Sequence, residues 1–223
     1  MKIYFDGCSW TKGTDLENFE EERYSRLICN ELGAEETNLA MNGGSNDRII
    51  RNLIVENNIE EYDLAVIQMT FPPRTEYYNP DHEEWFKVNP NRKYVEWLHT
   101  EQSTIQPFKK NNFYDYRQFW EYYYTTVSNE KYFEVKEKIQ YETIKGYCKS
   151  KGIPLIFGTI NQFTKLDFHF ILCKGLRKHQ YGHPNKFGHQ TIANNIIEIW
   201  KTTKDMSKDN AILGDSHFTR RRK

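Results

Sequence analysis

Two short segments at opposite ends of this chain carry side chains of matched chemistry. Ser9 stands in Gly7-Cys8-Ser9-Trp10-Thr11-Lys12-Gly13, directly after a short apolar run, and His183 stands in Gly182-His183-Pro184-Asn185. A serine hydroxyl is a weak nucleophile until a base takes its proton, and an imidazole is a common base for that step. A serine on a strand-end turn and a distant histidine are therefore the two halves of an acyl-transfer pair. Each half also has an ordinary structural reading. Serine often caps the segment after a turn, and Gly-His-Pro can simply open a helix.

Other reactive side chains fit less well. Cys8 is a rival nucleophile, but neighbouring residues on a turn point apart and small cysteines are commonly buried. Cys173, His179, His183 and His189 have metal-ligand chemistry, yet the intervening gaps of five, three and five residues do not match the tight zinc spacings. We expect no metal, and His189 is expected to pack or hydrogen-bond on the last helix. Gly43-Gly44-Ser45 before a helical pattern suggests a phosphate cradle but lacks the phosphate-loop lysine and the dinucleotide spacing. No organic cofactor is implied.

The elements that must position Ser9 and His183 alternate between strand and helix. Residues 2–6 read as a buried strand. Residues 20–32 read as a helix with Leu27, Ile28 and Leu32 on one face and Gly33 as its stop. Thr37-Asn38-Leu39-Ala40 reads as a short strand or the end of one. Ser45 or Asn46 caps a second helix with Ile49, Ile50, Leu53 and Ile54 as its apolar stripe. Residues 64–69 form the clearest buried strand, 130–150 a charged helix, 153–157 a further strand with Pro154 at its start, and 184–201 the last helix, with Pro184 in its first turn. Short strands between helices imply a mostly parallel sheet covered on both faces, with reactive groups outside the carboxyl ends of its strands. The Ser9 turn, the Gly43 loop, the segment after Met69 and the loop before His183 all fall on that edge.

From residue 71 to about residue 126 the rhythm breaks into a stretch rich in Pro, Tyr, Phe and Trp, longer than a plain crossover needs. It reads as an inserted cap ending in a helix. Most of its aromatics suit a small satellite core; Trp85, Trp97 and Trp120 are candidates for stacking on a sugar ring or an acyl chain. Residues 203–223 read as a polar basic tail.

With 223 residues, thirty-one basic against thirty-one acidic side chains and a mean hydropathy of −0.84, the chain suits one polar-surfaced domain. Zero net charge offers no field for nucleic acid, and no apolar run nears the ~18 residues of a membrane span. The absence of a leader-like start and of paired cysteine spacing points to a cytoplasmic protein with reduced thiols.

These motifs resemble the SGNH (GDSL-type) hydrolases, flavodoxin-like esterases and acetylhydrolases. The first family block, Gly-Asp-Ser-x-Thr-x-Gly, is similar to residues 7–13, which maps Ser9 to the nucleophile. The second is similar to Asn38-Leu39-Ala40-Met41-Asn42-Gly43 and maps Gly43, beside the Ser9 amide, to the oxyanion hole. The last, Asp-x-x-His, matches at His183 but has Gln180 in place of the acid. The third, Gly-x-Asn-Asp, is absent, and the strand runs into Thr70-Phe71-Pro72-Pro73-Arg74. The version seen here resembles divergent members carried by bacteriophages, which would place it in a host cytoplasm.

The resemblance implies an α/β, flavodoxin-like three-layer α/β/α fold over residues 1–202, with an aromatic-rich insertion at about 71–126. It implies a serine esterase or deacylase acting on an O-acyl ester of a carbohydrate or another small polar molecule. Thr70 or Arg74 could replace the absent asparagine donor, Asn46 and Arg74 could position substrate, and Gln180, Asp167 or a backbone carbonyl could orient His183. Without an acid a weak or specialised enzyme is expected, since only a carboxylate fully stabilises the imidazolium. Two alternatives stay open: an acyltransferase on the same Ser-His pair, and a degenerate, non-catalytic binding module.

Overall fold

A computed structural model of the chain describes residues 1–80, 83–88, 119–120, 122–172 and 182–206. Five strands form one parallel sheet: β1 (Lys2–Asp6), β2 (Glu35–Asn38), β3 (Leu64–Met69), β6 (Leu155–Thr159) and β7 (Phe170–Ile171), in the order β2-β1-β3-β6-β7. A separate antiparallel hairpin joins β4 (Thr75–Asn79) to β5 (Glu84–Val88).

Alternation along the central strands builds a core on each face. Ile3 and Phe5 of β1 and Leu64 and Val66 of β3 point to one side, where they meet Tyr24 and Ile28 of α3 (Tyr24–Leu32) and Ile192, Ile196 and Trp200 of the last helix, α6 (Lys186–Met206). Tyr4, Ala65, Ile67 and Met69 point to the other side. There they meet Ile49 of α4 (Asn46–Arg51), Leu53 just beyond it, and Tyr141 and Ile144 of α5 (Glu130–Ser150). The result is the expected three-layer α/β/α arrangement. No helix among the described residues is long and apolar enough to cross a membrane.

Several elements differ from the expectations. The helix at residues 20–32 is two: α2 (Phe19–Glu22) and α3, separated at Arg23, whose backbone is extended (φ −67°, ψ 144°). The break lets Arg23 reach back to pair with Glu36 of β2 at 2.9 Å. Ser45 caps α4, accepting the Arg48 N–H at 3.1 Å. The apolar stripe ends early, because a π-helical turn over Asn52–Glu56 rotates the following residues and leaves Ile54 exposed. The strand expected at residues 153–157 starts two residues later, with Pro154 contributing only a carbonyl, to the Ala65 N–H. The short β7 strand lies in what reads as loop from sequence. Pro184 precedes the last helix instead of opening it; Asn185 accepts the Gly188 N–H at its start. Of the aromatic insertion, the hairpin, residues 119–120 and a helical turn near Tyr123–Val127 are described. Trp97 and most of the basic tail lie outside the described residues.

Candidate active site

Ser9 is the first residue of α1 (Ser9–Lys12), which follows β1 after the single link Gly7-Cys8. The side chain of Gln68, on the adjacent strand, holds this turn from below. Its Oε1 accepts the Cys8 N–H at 3.2 Å and the Thr11 hydroxyl at 3.0 Å, while its Nε2 donates to the Met69 carbonyl. A Cβ at Gly7 would lie 2.3 Å from the Thr11 hydroxyl and 2.9 Å from Gln68 Oε1, so the turn closes this tightly only with glycine. Gly13 ends α1 in the left-handed region (φ 85°), donating to the Ser9 carbonyl at 3.1 Å. The glycines and threonine of the first motif are thus packing requirements of the Ser9 turn. Cys8 is fully buried, its sulfur 3.3 Å from Gln68 Oε1 and 3.9 Å from Ser9 Oγ, so the expectation that the two side chains point apart does not hold, and burial is what keeps the thiol from the open edge.

Beneath the turn, the fully buried Asp6 carboxylate accepts from the Arg48 guanidinium at 2.8 Å, Asn52 Nδ2 at 2.9 Å and the Gly7 N–H at 2.7 Å. Arg48 also donates to the Leu39 carbonyl, so one buried cation joins the end of β1 to the loop after β2.

His183 sits on the loop before α6, with Nε2 3.0 Å from Ser9 Oγ. Its Nδ1 lies 2.6 Å from Asp15 Oδ2. A carboxylate accepts, so Nδ1 carries the proton and Nε2 presents a lone pair to the serine hydroxyl. The carboxylate that the sequence lacked at position 180 therefore comes from the loop just after α1. Asp15 adopts a left-handed backbone (φ 71°), uncommon outside glycine and tolerated best by Asp and Asn. That geometry follows directly on the Gly13 cap, and no motif spacing singles out Asp15 among the carboxylates near this edge. Gln180 lies outside the described residues. Asp167 lies between β6 and β7, where its carbonyl receives the Tyr141 hydroxyl at 2.6 Å.

Gly43 lies in a turn of residues 41–44, closed by Gly44 N–H to the Met41 carbonyl at 2.9 Å, with Gly43 at φ 68°. The turn is set against the Ser9 loop: the Met41 N–H donates to the Gly7 carbonyl at 3.2 Å, and a Cβ at Gly44 would lie 3.2 Å from that same oxygen. Asn38, which opens the second motif, donates to the Thr11 carbonyl and to Ser25 Oγ, binding the end of β2 to α1. Among the described residues the Ser9 and Gly43 N–H groups donate to no protein acceptor.

Asn46, expected to contact substrate, is committed elsewhere. It is fully buried, accepts the Thr70 N–H at 2.7 Å, and donates to the Thr70 carbonyl at 3.2 Å and to Gln140 at 3.0 Å. It locks the first turn of α4 to the end of β3 and to α5. Thr70 is likewise fully buried, its hydroxyl receiving Arg74 Nη1 at 2.7 Å. Arg74 is partly exposed and stacks on Phe71 at 5.3 Å, so of these three only Arg74 retains an outward-facing surface. His189 is buried in α6, where Nδ1 accepts the Tyr24 N–H at 3.1 Å and the ring stacks on Tyr24. This agrees with the packing role expected for it. Cys173 and His179 lie outside the described residues.

The sequence matches no protein-family model and no curated protein. Solved structures do match. One is a psychrotrophic esterase, EstA, from Pseudoalteromonas sp., at 10% identity and TM-score 0.51 over 92% of this chain and 98% of that one. Another is TesA, at 10% identity and TM-score 0.51 over 92% and 99%. At this identity the likeness is one of fold alone, the three-layer α/β/α arrangement described above.

Proposed function

We propose that this protein is a serine hydrolase of the SGNH type that cleaves O-acyl esters, with Ser9, His183 and Asp15 as its catalytic residues. The observation that carries the reading is the line from Asp15 Oδ2 to His183 Nδ1 and from His183 Nε2 to Ser9 Oγ. His183 takes the hydroxyl proton as Ser9 Oγ bonds to the ester carbonyl carbon. It then returns that proton to the departing alcohol oxygen, leaving an acyl-serine. A water molecule, deprotonated by the same nitrogen, then bonds to the acyl carbon, and the C–Oγ bond breaks as Nε2 returns the proton to Ser9, releasing the acid. The Ser9 and Gly43 amides hold the oxyanion. With Asp15 supplying the carboxylate, the ground for expecting a weak or specialised enzyme, an absent acid beside His183, falls away. An imidazole aimed at Ser9 also runs against the non-catalytic binding module.

For the substrate we favour a small O-acyl group on a carbohydrate or similarly polar alcohol. The hairpin presents Tyr78 and Trp85 as an exposed edge-to-face pair, with the Arg51 guanidinium 4.6 Å from the Trp85 ring centre. Exposed rings of this kind suit stacking on the apolar face of a sugar. The test is labelling with a fluorescent fluorophosphonate, read by intact mass, on the wild type, Ser9→Ala and His183→Ala, followed by turnover of acetylated sugars. A single adduct lost in both variants is expected. A folded wild type that takes no adduct would overturn the hydrolase and leave the binding module in its place.

A further inference from the structure

The Asn42–Gly43 peptide is the centre of the 41–44 turn, and the bond that closes that turn uses neither its carbonyl nor its N–H. The left-handed Gly43 at the third position orients this peptide as in a type II turn. Its carbonyl accepts Lys87 Nζ at 2.8 Å, from β5 of the inserted hairpin. The Asn42 side chain meanwhile accepts the Thr14 hydroxyl at 2.6 Å, from the loop that carries Asp15. The peptide is therefore gripped from the insertion on one side and from the Asp15 loop on the other.

We propose that Lys87 is a positioning residue for the ester-cleaving site. Its ammonium on the Asn42 carbonyl fixes and polarises the Asn42–Gly43 peptide, so that the Gly43 N–H becomes a stronger oxyanion donor. This rests on the reading of Gly43 given above. The C=O and N–H of one peptide are conjugated through the C–N bond, so positive charge at the oxygen makes the N–H more acidic. Hydrogen bonds in such chains strengthen one another by about 10–30% each. An oxyanion donor typically contributes about a hundred- to a thousandfold in rate. A strengthening of that order corresponds to about two- to eightfold in kcat. The chain lacks the third-block asparagine, and this reinforcement offsets part of that loss.

The experiment compares the full-length wild type with Lys87→Met, which keeps the apolar stem, and Lys87→Arg, which keeps the charge. On 4-nitrophenyl acetate, Lys87→Met should lower kcat by about two- to eightfold with KM little changed, and Lys87→Arg should recover most of it. Affinity for a boronic acid that forms a tetrahedral adduct with Ser9 should fall by the same factor. The Gly43 amide nitrogen resonance should move upfield in Lys87→Met and return in Lys87→Arg. An unmoved Gly43 resonance with unchanged kcat would overturn the assignment. So would a raised KM at constant kcat, which would make Lys87 a substrate contact. A wild type without Ser9-dependent turnover would refute the hydrolase reading and this role together, and the Gly43 resonance would still show separately whether Lys87 polarises the peptide.

Discussion

Replacing Asp15 with asparagine tests the relay at the point where this chain departs most from the motifs it resembles. The substitution keeps the shape of the side chain and removes its charge. When His183 takes the serine proton, an imidazolium forms beside a carboxylate whose oxygen is 2.6 Å from Nδ1. With charge centres about 4 Å apart, their attraction is about 1 kcal/mol in a water-like surrounding and about 4 kcal/mol at an effective dielectric of about 20. At about 1.36 kcal/mol per decade, those limits correspond to about fivefold and about a thousandfold in kcat. The side chains of His183 and Asp15 retain 24% and 31% of their exposure, which places the pair between the limits, so a loss of about a hundredfold is expected. An asparagine amide donating to Nδ1 would also leave the proton on Nε2, facing Ser9, and this wrong tautomer acts in the same direction. The assay is kcat on 4-nitrophenyl acetate together with the second-order rate of fluorophosphonate labelling. Gln180→Ala serves as the contrast and should change either quantity by less than about threefold. A folded Asp15→Asn protein with undiminished kcat and labelling, above all beside a crippled Gln180→Ala, would show that the ring is oriented from position 180.

Asp6→Asn would leave Arg48 buried without its counter-charge and should cost about 3–5 kcal/mol, read as a lower urea midpoint at unchanged slope. Gly158→Ala would drive a methyl to 2.1 Å from the Phe170 ring that crosses that glycine; a loss of about 1–3 kcal/mol is expected, measured by thermal unfolding. Glu137 is buried at the junction of α5 with the loop after β6. Desolvation holds its carboxyl above the ordinary 4.5, against the bonds from Asn161 and Thr164. A folded-state value above the unfolded one contributes stability that is full below about pH 4.5 and is lost as pH rises through the folded value. Glu137→Gln should therefore stabilise the protein at neutral pH, with the gain shrinking as pH falls toward 4.5. A gain that grew on acidification would reverse the sign of this assignment.

Much of the frame was legible without coordinates because it follows local rules. The apolar runs that form β1 and β3 are buried on both faces, and such runs in alternation with helices fit a parallel sheet whose carboxyl edge gathers the loops. Gly33 and Ser45 mark helix ends through backbone freedom and a side-chain oxygen, both properties of single residues. The pairing of Ser9 with His183 was also legible, because each lies on a turn that this topology brings to the same edge. What sequence could not supply was the third member. Asp15 reaches His183 from the loop that leaves α1 through the left-handed Gly13 cap. Nothing in their spacing of 168 residues records that approach. Asn46 shows the converse. Its position beside a glycine turn invites a role in binding, yet the backbone groups of Thr70 bury it, and satisfying buried amides takes precedence over facing solvent. Residue types and turns determined which edge would bring Ser9 and His183 together. Only the packing of distant loops decided which carboxylate orients the histidine and which lysine grips the Gly43 peptide, because those contacts join residues that no local preference links.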